Sequence, residues 1–237
     1  MPGSSSTSSC IITIDGPAGT GKSTVAKALA DRLGLSCLDT GSMYRAIALL
    51  ALESELSVED GPALASLAAT ADLRFDWTQD PPAMCIGDRD ISARIRDLDV
   101  SGLVSQVAEQ PEVRRVLVEA QRRIAEDHPR LVTEGRDQGS VVFPDADVRF
   151  FLDADEAVRA GRRSRQMADR GDQVDEQAIR NDIQKRDQLD RSRAAAPLVQ
   201  PEGSILIDST RMSIDEVVDQ MIQLVHRETG HHGEDIA

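Results

Sequence analysis

Residues 16–23 read Gly16-Pro17-Ala18-Gly19-Thr20-Gly21-Lys22-Ser23, a complete G-x-x-x-x-G-K-S phosphate-binding loop. The β-branched run before it, residues 11–15, predicts a buried strand, and the apolar spacing from Thr24 to Leu33 predicts a helix after it. Between a strand and a helix, such a loop turns backbone N–H groups toward phosphate oxygens. We therefore expect residues 16–24 to bind a nucleoside triphosphate, with Lys22 on the β- and γ-phosphates and Ser23 on Mg²⁺.

Composition sets the class of protein. The 237 residues are 40% hydrophobic and 29% charged, which is typical of one large globular domain or of one domain with an insert. The net charge of −14 disfavours a nucleic-acid polymer as partner. No run of about 18 apolar residues predicts a membrane helix, and the three scattered cysteines indicate a reduced, cytoplasmic compartment. We expect disordered tails at residues 1–9 and 229–237.

Strand and helix patterns alternate along the chain, which predicts an α/β fold with helices on both faces of a parallel sheet. The five strand patterns cover residues 11–15, 35–38, 131–134, 148–153 and 204–208. The helical patterns cover residues 24–33, 42–53, 58–69, 98–108, 111–127, 155–167 and 175–193, and Ser213 with Glu216 predicts a capping box for a last helix. Three short alternating segments at 73–77, 83–87 and 90–92 predict a small antiparallel β insert.

Polar residues follow the predicted strands at the edge where ligands bind to parallel sheets. Arg45 follows the second strand and either reaches a phosphate in the cleft or extends from the surface into solvent. Arg136 and Asp137 follow the third strand, between two glycines. A mutual pair in a tight turn is the alternative for these two, but adjacent side chains rarely face each other, so we favour ligand roles.

Arginines are concentrated in the last third of the chain. Arg186, Asp190 and Arg193 share one helix face, which indicates either an anion-binding cleft or a row of salt bridges on a solvated surface. The helix before them carries Arg159, Arg162, Arg163 and Arg165 ahead of a polar break at residues 169–172, and we interpret it as a mobile arm that brings arginines over a phosphate.

The residue types favour phosphoryl transfer onto a phosphate oxygen, which needs cations and positioning but no catalytic base. The sequence contains no Ser-His-Asp arrangement and no Asn-Lys-x-Asp guanine signature, which argues against a hydrolase and a GTPase. A kinase acting on adenylate, uridylate or a metabolite alcohol is one alternative. A nucleotide-binding regulator that has lost turnover is the other.

The chain resembles the bacterial cytidylate kinases, a branch of the nucleoside monophosphate kinases, in unbroken order from about residue 11 to 225. The stretches that carry the resemblance include Asp39-Thr40-Gly41-Ser42-Met43-Tyr44-Arg45 and Gly135-Arg136-Asp137-Gln138-Gly139-Ser140. Others are residues 14–17, 141–146, 151–154, 186–198 and 207–210. The resemblance implies ATP and CMP or dCMP as substrates, Mg²⁺, a five-stranded parallel P-loop core at residues 10–228, a monophosphate-binding insert at about 70–105 and a short helical lid at about 158–190.

The resemblance also implies roles for individual residues. Thr40, Arg45, Arg136 and Arg186 would hold the acceptor phosphate, with Tyr44 beside them, and Asp190 would take the ribose hydroxyls. Ser105, Arg114 and Asp137 would read the cytosine edge. The residues expected to act on the transferring phosphoryl group are Lys22, Arg136, Arg162, Arg163, Arg186 and Arg193.

Two positions depart from the family pattern. Gln138 stands where an apolar residue is expected, which would shift the neighbouring turn, and Leu189 replaces a polar residue. Besides Ser23, the sequence does not decide which acidic residue lies near Mg²⁺, and the candidates are Asp39, Asp137 and Asp153. Nothing in the sequence requires more than a monomer.

Overall fold

A computed structural model describes residues 9–169 and 175–230. Of the tails predicted at 1–9 and 229–237, residues 1–8 and 231–237 lie outside the described residues, as does most of the predicted polar break at 169–172. The five predicted strands form one sheet in the spatial order β2-β6-β1-β7-β8, and every neighbouring pair is parallel. They are β1 (Cys10–Asp15), β2 (Ser36–Asp39), β6 (Arg130–Gly135), β7 (Val148–Asp153) and β8 (Ile205–Asp208). The predicted five-stranded parallel fold is confirmed.

Eight α-helices occur among the described residues, and the predicted pattern located each of them. They are α1 (Lys22–Leu33), α2 (Thr40–Glu53), α3 (Gly61–Thr70), α4 (Leu98–Glu109), α5 (Pro111–Asp127), α6 (Glu156–Ala168), α7 (Glu176–Ser192) and α8 (Ile214–Thr229). The expected start of α3 at Val58 is wrong by three residues. The carboxylate of Asp60 accepts the Ala63 N–H at 3.0 Å and caps the helix there.

Two apolar clusters of buried side chains hold the helices against the sheet and the insert. The first packs α1 and α8 on the sheet around the fully buried Ile12 and Phe150. The second joins α2 through α5 to the insert, around Met43 and Leu64. Buried apolar surface, which is the main favourable term in folding, therefore supports both the sheet and the insert.

The predicted insert is a separate three-stranded antiparallel sheet of β3 (Leu73–Asp76), β4 (Ala83–Ile86) and β5 (Arg89–Asp90). The third strand is shorter than expected and lies one residue earlier. Its carboxyl end is fixed by Asp90, whose carboxylate accepts the Ser92 N–H at 2.8 Å and turns the chain out of the sheet.

Helices α6 and α7 occupy the region predicted as a lid. They pack through four buried side chains, Ala160, Met167, Ile179 and Ile183. Among the described residues, no helix combines the length and the apolar composition needed to cross a bilayer.

Candidate active site

A cavity of about 820 Å³ opens at the carboxyl ends of the parallel strands. Residues 18–23 of the phosphate-binding loop border one end, and the start of α2, which follows β2 directly, borders the other together with the loop after β6. Of the predicted site residues, Gly16 and Pro17 lie outside its lining. The others line it: Ala18, Gly19, Thr20, Gly21, Lys22, Ser23, Thr24, Thr40, Tyr44, Arg45, Ser105, Arg114, Arg136, Asp137, Arg162, Arg163, Arg186, Asp190 and Arg193.

The conformation of the phosphate-binding loop depends on close packing against the sheet. Gly16 has a φ of +151°, and a Cβ there would lie 2.0 Å from the Leu152 carbonyl oxygen of β7. The ammonium of Lys22 is buried and donates to the Pro17 carbonyl at 2.8 Å, so it folds back across its own loop. Burial lowers the pKa of Lys22, and the Arg136 guanidinium lowers it further. An anion in the loop would restore the charged form.

Oxygen atoms suited to Mg²⁺ lie next to the loop. The Ser23 hydroxyl donates to a Glu134 carboxylate oxygen at 2.6 Å. Burial raises the pKa of Glu134, and Asp39, its register partner across β2 and β6, raises it further. A buried and a half-buried acidic group beside a hydroxyl fit a hard divalent cation, which prefers oxygen ligands. Of the three acidic residues left open by the sequence, Asp39 lies beside Glu134, and Asp137 pairs with Arg114. Asp153 is not among the described lining residues, and its carboxylate accepts the Ala154 N–H at 2.8 Å.

The acceptor end of the cavity contains a group of ionic side chains. Arg136 Nε donates to an Asp190 oxygen at 2.7 Å, and Arg193 lies 3.6 Å from the other oxygen of the same carboxylate. Asp190 and Arg193 are each 8% exposed. The alternative of a solvated row of salt bridges is therefore wrong for these residues, and so is the mutual Arg136–Asp137 pair.

Arg45 lies inside the cavity wall. Burial lowers its pKa to about 10, although Asp39 beside it acts in the opposite direction and Arg186 adds to the lowering. The alternative of an arginine extending into solvent is wrong. Thr40 shares this part of the wall, and its hydroxyl donates to the Glu134 carbonyl at 2.7 Å.

A buried ion pair forms the far wall beside the insert. Arg114 donates to the Asp137 carboxylate, and their side chains are 6% and 5% exposed. The Arg114 guanidinium also lies 5.6 Å from the centre of the Tyr44 ring and donates to the Ala108 carbonyl at 3.1 Å. Ser105 lines the cavity next to this pair. The pair gives this wall a hydrogen-bonding edge for a flat polar ring.

The arginines of α6 have three different environments. Arg162 lines the cavity, but its guanidinium donates to the Thr20 carbonyl at 3.1 Å and to the Ser209 hydroxyl at 2.9 Å. Arg163 lines the cavity and donates to Gln166 at 2.8 Å. Arg159 is buried against the phosphate-binding loop, so its expected place on an arm above the phosphate is wrong.

The sequence patterns did not identify two buried acidic residues as part of the site. Glu134 ends the strand pattern at residues 131–134, and the sequence pattern gave it no role in the site. Asp15 ends β1 and accepts the N–H groups of Gln138 and Gly139 at 2.8 and 2.7 Å, and burial raises its pKa to about 6. A lone acid at the end of an apolar strand pattern was the available signal for both.

Gln138 does not stand in an apolar site. Its side chain accepts from the Thr133 hydroxyl at 2.9 Å and donates to the Gln121 side-chain carbonyl at 3.1 Å. This buried network accounts for an amide at a position where an apolar residue was expected.

The chain matches the family model for cytidylate kinase over residues 12–227. It is 43% identical over 213 residues to the cytidylate kinase of Klebsiella pneumoniae (strain 342), covering 90% of this chain and 93% of that protein. It is also 43% identical over 218 residues to the cytidylate kinase of Caldanaerobacter subterraneus subsp. tengcongensis, covering 92% and 95%. The solved structure of an uncharacterized protein from Eubacterium ventriosum ATCC 27560 matches this fold with a TM-score of 0.50, covering 91% of this chain and 98% of that one. The two sequences are 16% identical, so the likeness concerns the fold alone.

Proposed function

Because the chain belongs to the cytidylate kinase family, we propose that it transfers the γ-phosphoryl group of ATP to CMP or dCMP, giving ADP and CDP or dCDP. The resemblance inferred from the sequence motifs is thereby confirmed. The observation that carries the proposal is a single cavity that joins the phosphate-binding loop to the Arg114–Asp137 wall. Donor and acceptor bound at its two ends would meet at the arginines between them.

The donor end supplies charge complementary to a triphosphate. The loop N–H groups and the N-terminus of α1 would bind the phosphates, and Lys22 would leave the Pro17 carbonyl to contact them. The Ser23 hydroxyl, with Glu134 and Asp39 nearby, would hold Mg²⁺, which would supply positive charge to the triphosphate. The burial of Lys22 makes its charge more effective once a phosphate pairs with it.

The acceptor end is built to hold a phosphate monoester. Arg45, Arg136 and Arg186 surround it with guanidinium groups, which match phosphate oxygens in bidentate geometry. Arg193 lies between this group and the Arg114–Asp137 wall and would contact the transferring phosphoryl group. The attacking phosphate oxygen is already ionised, so catalysis rests on position and charge.

The base wall distinguishes cytosine from uracil by its hydrogen-bonding pattern. Cytosine presents an exocyclic amine where uracil presents a carbonyl. The Asp137 carboxylate would accept from the amine and repel the uracil oxygen, while Arg114 and Ser105 would complete the edge. Because the carboxylate is buried, the uracil carbonyl would face a buried acceptor with no donor between them, and such an unmade hydrogen bond can cost several orders of magnitude in kcat/KM.

The lid and the sugar site complete the proposal. We assign residues 158–190 to a lid that excludes water from the transfer, with Arg162 and Arg163 as its arginines. Asp190 would release Arg136 in part to accept the ribose hydroxyls. We further propose a monomer, active in the cytoplasm, with a kinase domain at residues 10–228 and an insert at about 70–105.

The test is ADP formation from ATP and Mg²⁺ with CMP, dCMP, UMP and AMP in parallel, on the wild type and on Asp137→Asn. We expect CMP or dCMP to be preferred in the wild type. The variant should lose roughly 100-fold in kcat/KM for CMP, and its preference for CMP over UMP should fall at least about tenfold, because the amide offers a donor to the uracil carbonyl.

Asp145→Asn is the matched control, since Asp145 is exposed in the loop after β6 and the same charge is removed. It should behave as the wild type. A wild type that prefers AMP or UMP would contradict the assignment of CMP or dCMP as the acceptor. The protein would then still be a nucleoside monophosphate kinase. If no monophosphate stimulates turnover, the nucleotide-binding regulator becomes the better interpretation.

A further inference from the structure

A buried ion pair behind the phosphate-binding loop has no part in the roles given above. Arg159 of α6 and Asp187 of α7 form it, with Arg159 Nη1 2.5 Å from an Asp187 oxygen and side chains 8% and 11% exposed. Both side chains also bind Ala18 of the loop. Arg159 Nη1 donates to the Ala18 carbonyl at 3.0 Å, and the Asp187 carboxylate accepts the Ala18 N–H at 3.1 Å.

The pair contacts the loop from the side away from the substrates. Ala18 and Gly19 line the cavity, whereas neither Arg159 nor Asp187 is among its described lining residues. Contact continues at Gly19, where an added Cβ would lie 3.1 Å from both the Cβ and the carbonyl oxygen of Arg159. Helix α6 therefore packs directly on the loop backbone, and the charged pair is its polar contact there.

Peptide geometry converts this contact into an orientation of the loop. In a trans peptide the carbonyl of one residue and the N–H of the next point in opposite directions. Because Arg159 holds the Ala18 carbonyl on the rear side, the Gly19 N–H points to the opposite side, where the cavity lies. Arg162, which lines the cavity, donates to a different carbonyl of the loop, that of Thr20, at 3.1 Å.

The pair can perform this task because its own charges are satisfied. Arg159 Nε donates to the Ala154 carbonyl at 3.0 Å, so the guanidinium binds two main-chain carbonyls and a carboxylate. The two Asp187 oxygens are shared between the Ala18 N–H and Arg159. A buried pair with additional hydrogen bonds holds one geometry, and replacing either partner leaves the other charge uncompensated.

We propose that Arg159 and Asp187 are positioning residues for phosphoryl transfer, which hold the peptide groups on either side of Ala18 so that the Gly19 N–H faces the donor phosphates before nucleotide binds. The proposal rests on the proposed function in taking those phosphates as the triphosphate of the donor. It also couples α6 and α7, the second of which carries the acceptor arginine Arg186, to the loop that binds the donor.

The experiment compares Asp187→Asn with Glu156→Gln. Asparagine keeps the shape of the side chain but turns one acceptor into a donor, so it cannot accept from both Ala18 and Arg159. Glu156 also joins the two helices, accepting from Gln184 at 2.7 Å, but contacts α7 without touching the loop. The measurements are the affinities for inorganic tripolyphosphate and for CMP by calorimetry, and the KM values for ATP and CMP.

We expect Asp187→Asn to weaken tripolyphosphate binding and raise the KM for ATP by about tenfold, with CMP affinity within about twofold of the wild type. Glu156→Gln should change none of these values. Retained CMP affinity shows that the variant is folded. Unchanged tripolyphosphate affinity, or an equal loss for tripolyphosphate and CMP, would overturn the proposal.

A second variant keeps the test decisive if Asp187→Asn does not fold. Arg159→Lys keeps the charge and reaches one oxygen but loses the second main-chain contact, so it should show the same selective loss in smaller degree. Tripolyphosphate binding does not depend on whether the protein phosphorylates CMP. A wild type that binds tripolyphosphate without phosphorylating CMP would contradict the proposed function, and the positioning claim would still be decided by the comparison of variants.

Discussion

Lys22 illustrates how a single side chain prepares the site for an anion. It is buried, it contacts only its own loop among the hydrogen bonds described, and burial with Arg136 nearby lowers its pKa. A bound phosphate favours the charged ammonium and raises that pKa again. At a pH between the two values, nucleotide binding must therefore take up a proton, and affinity must fall as the pH rises through the pKa of the free protein.

This linkage gives a prediction for Lys22→Arg. The guanidinium stays charged over the accessible range, so the variant should lack the proton uptake that the wild type shows above neutral pH. Calorimetric titration of ADP at pH 8 in two buffers of different ionisation enthalpy measures the uptake. The titration of the ligand itself is common to both proteins and cancels in the difference. Equal uptake by wild type and variant would show that Lys22 is fully charged in the free protein.

The sequence indicated which charged residues line the cavity, but it did not indicate their ion-pair partners. Arg136 and Asp137 are neighbours in the chain, yet Arg136 pairs with Asp190, 54 positions away, and Asp137 pairs with Arg114, 23 positions away. Arg159 had the same sequence signal as Arg162 and has a different environment. Such pairings depend on tertiary packing, which local spacing does not encode.

Helices and strands were predicted more accurately than side-chain partners because their signals are local. Apolar periodicity located the sheet and the helices, and Ser213 with Glu216 forms the expected capping box. The errors occur at ends, where one side chain decides. Asp60 caps α3 three residues after the expected start, and Asp90 ends β5 early.

The junction between β1 and α1 gives a prediction for Gly16→Ala. The new methyl carbon would lie 2.0 Å from the Leu152 carbonyl oxygen, which is backbone and cannot rotate away. We expect the free energy of unfolding to fall by roughly 3 kcal/mol and nucleotide affinity to fall with it. Urea unfolding and ADP titration check the two effects.

Gly102→Ala is the matched control for this substitution. Gly102 lies within α4, and no heavy atom lies within 4 Å of an added Cβ. Alanine should raise the free energy of unfolding by about 0.5–1 kcal/mol through its higher helix propensity. A loss of stability in Gly102→Ala, or an unchanged Gly16→Ala, would contradict the packing described at these two positions.

For the molecule as a whole, the parallel sheet is what assembles the site. Its strands end at one edge, so segments that are about 100 residues apart, such as the loops after β1 and β6, meet in one cavity. This assembly could be predicted from the sequence. Alternating strand and helix patterns predict a parallel sheet, and in a parallel sheet the ligand-binding edge is the one where the strands end. The positioning of the phosphate-binding loop by α6 and α7 could not, because it involves two main-chain groups of Ala18 that the sequence does not distinguish.

The central claim is that one cavity passes a phosphoryl group from a nucleotide on the phosphate-binding loop to CMP. The direct measurement incubates the protein with Mg²⁺, CMP and ATP carrying a labelled γ-phosphoryl group, with Lys22→Met as a parallel sample, and identifies the labelled product. We predict labelled CDP in the wild type and a loss of roughly 100-fold or more in the variant, since Lys22 would stabilise the transferring group. If the label is released only as inorganic phosphate, or if none is transferred to CMP, the result would contradict phosphoryl transfer to CMP in this cavity.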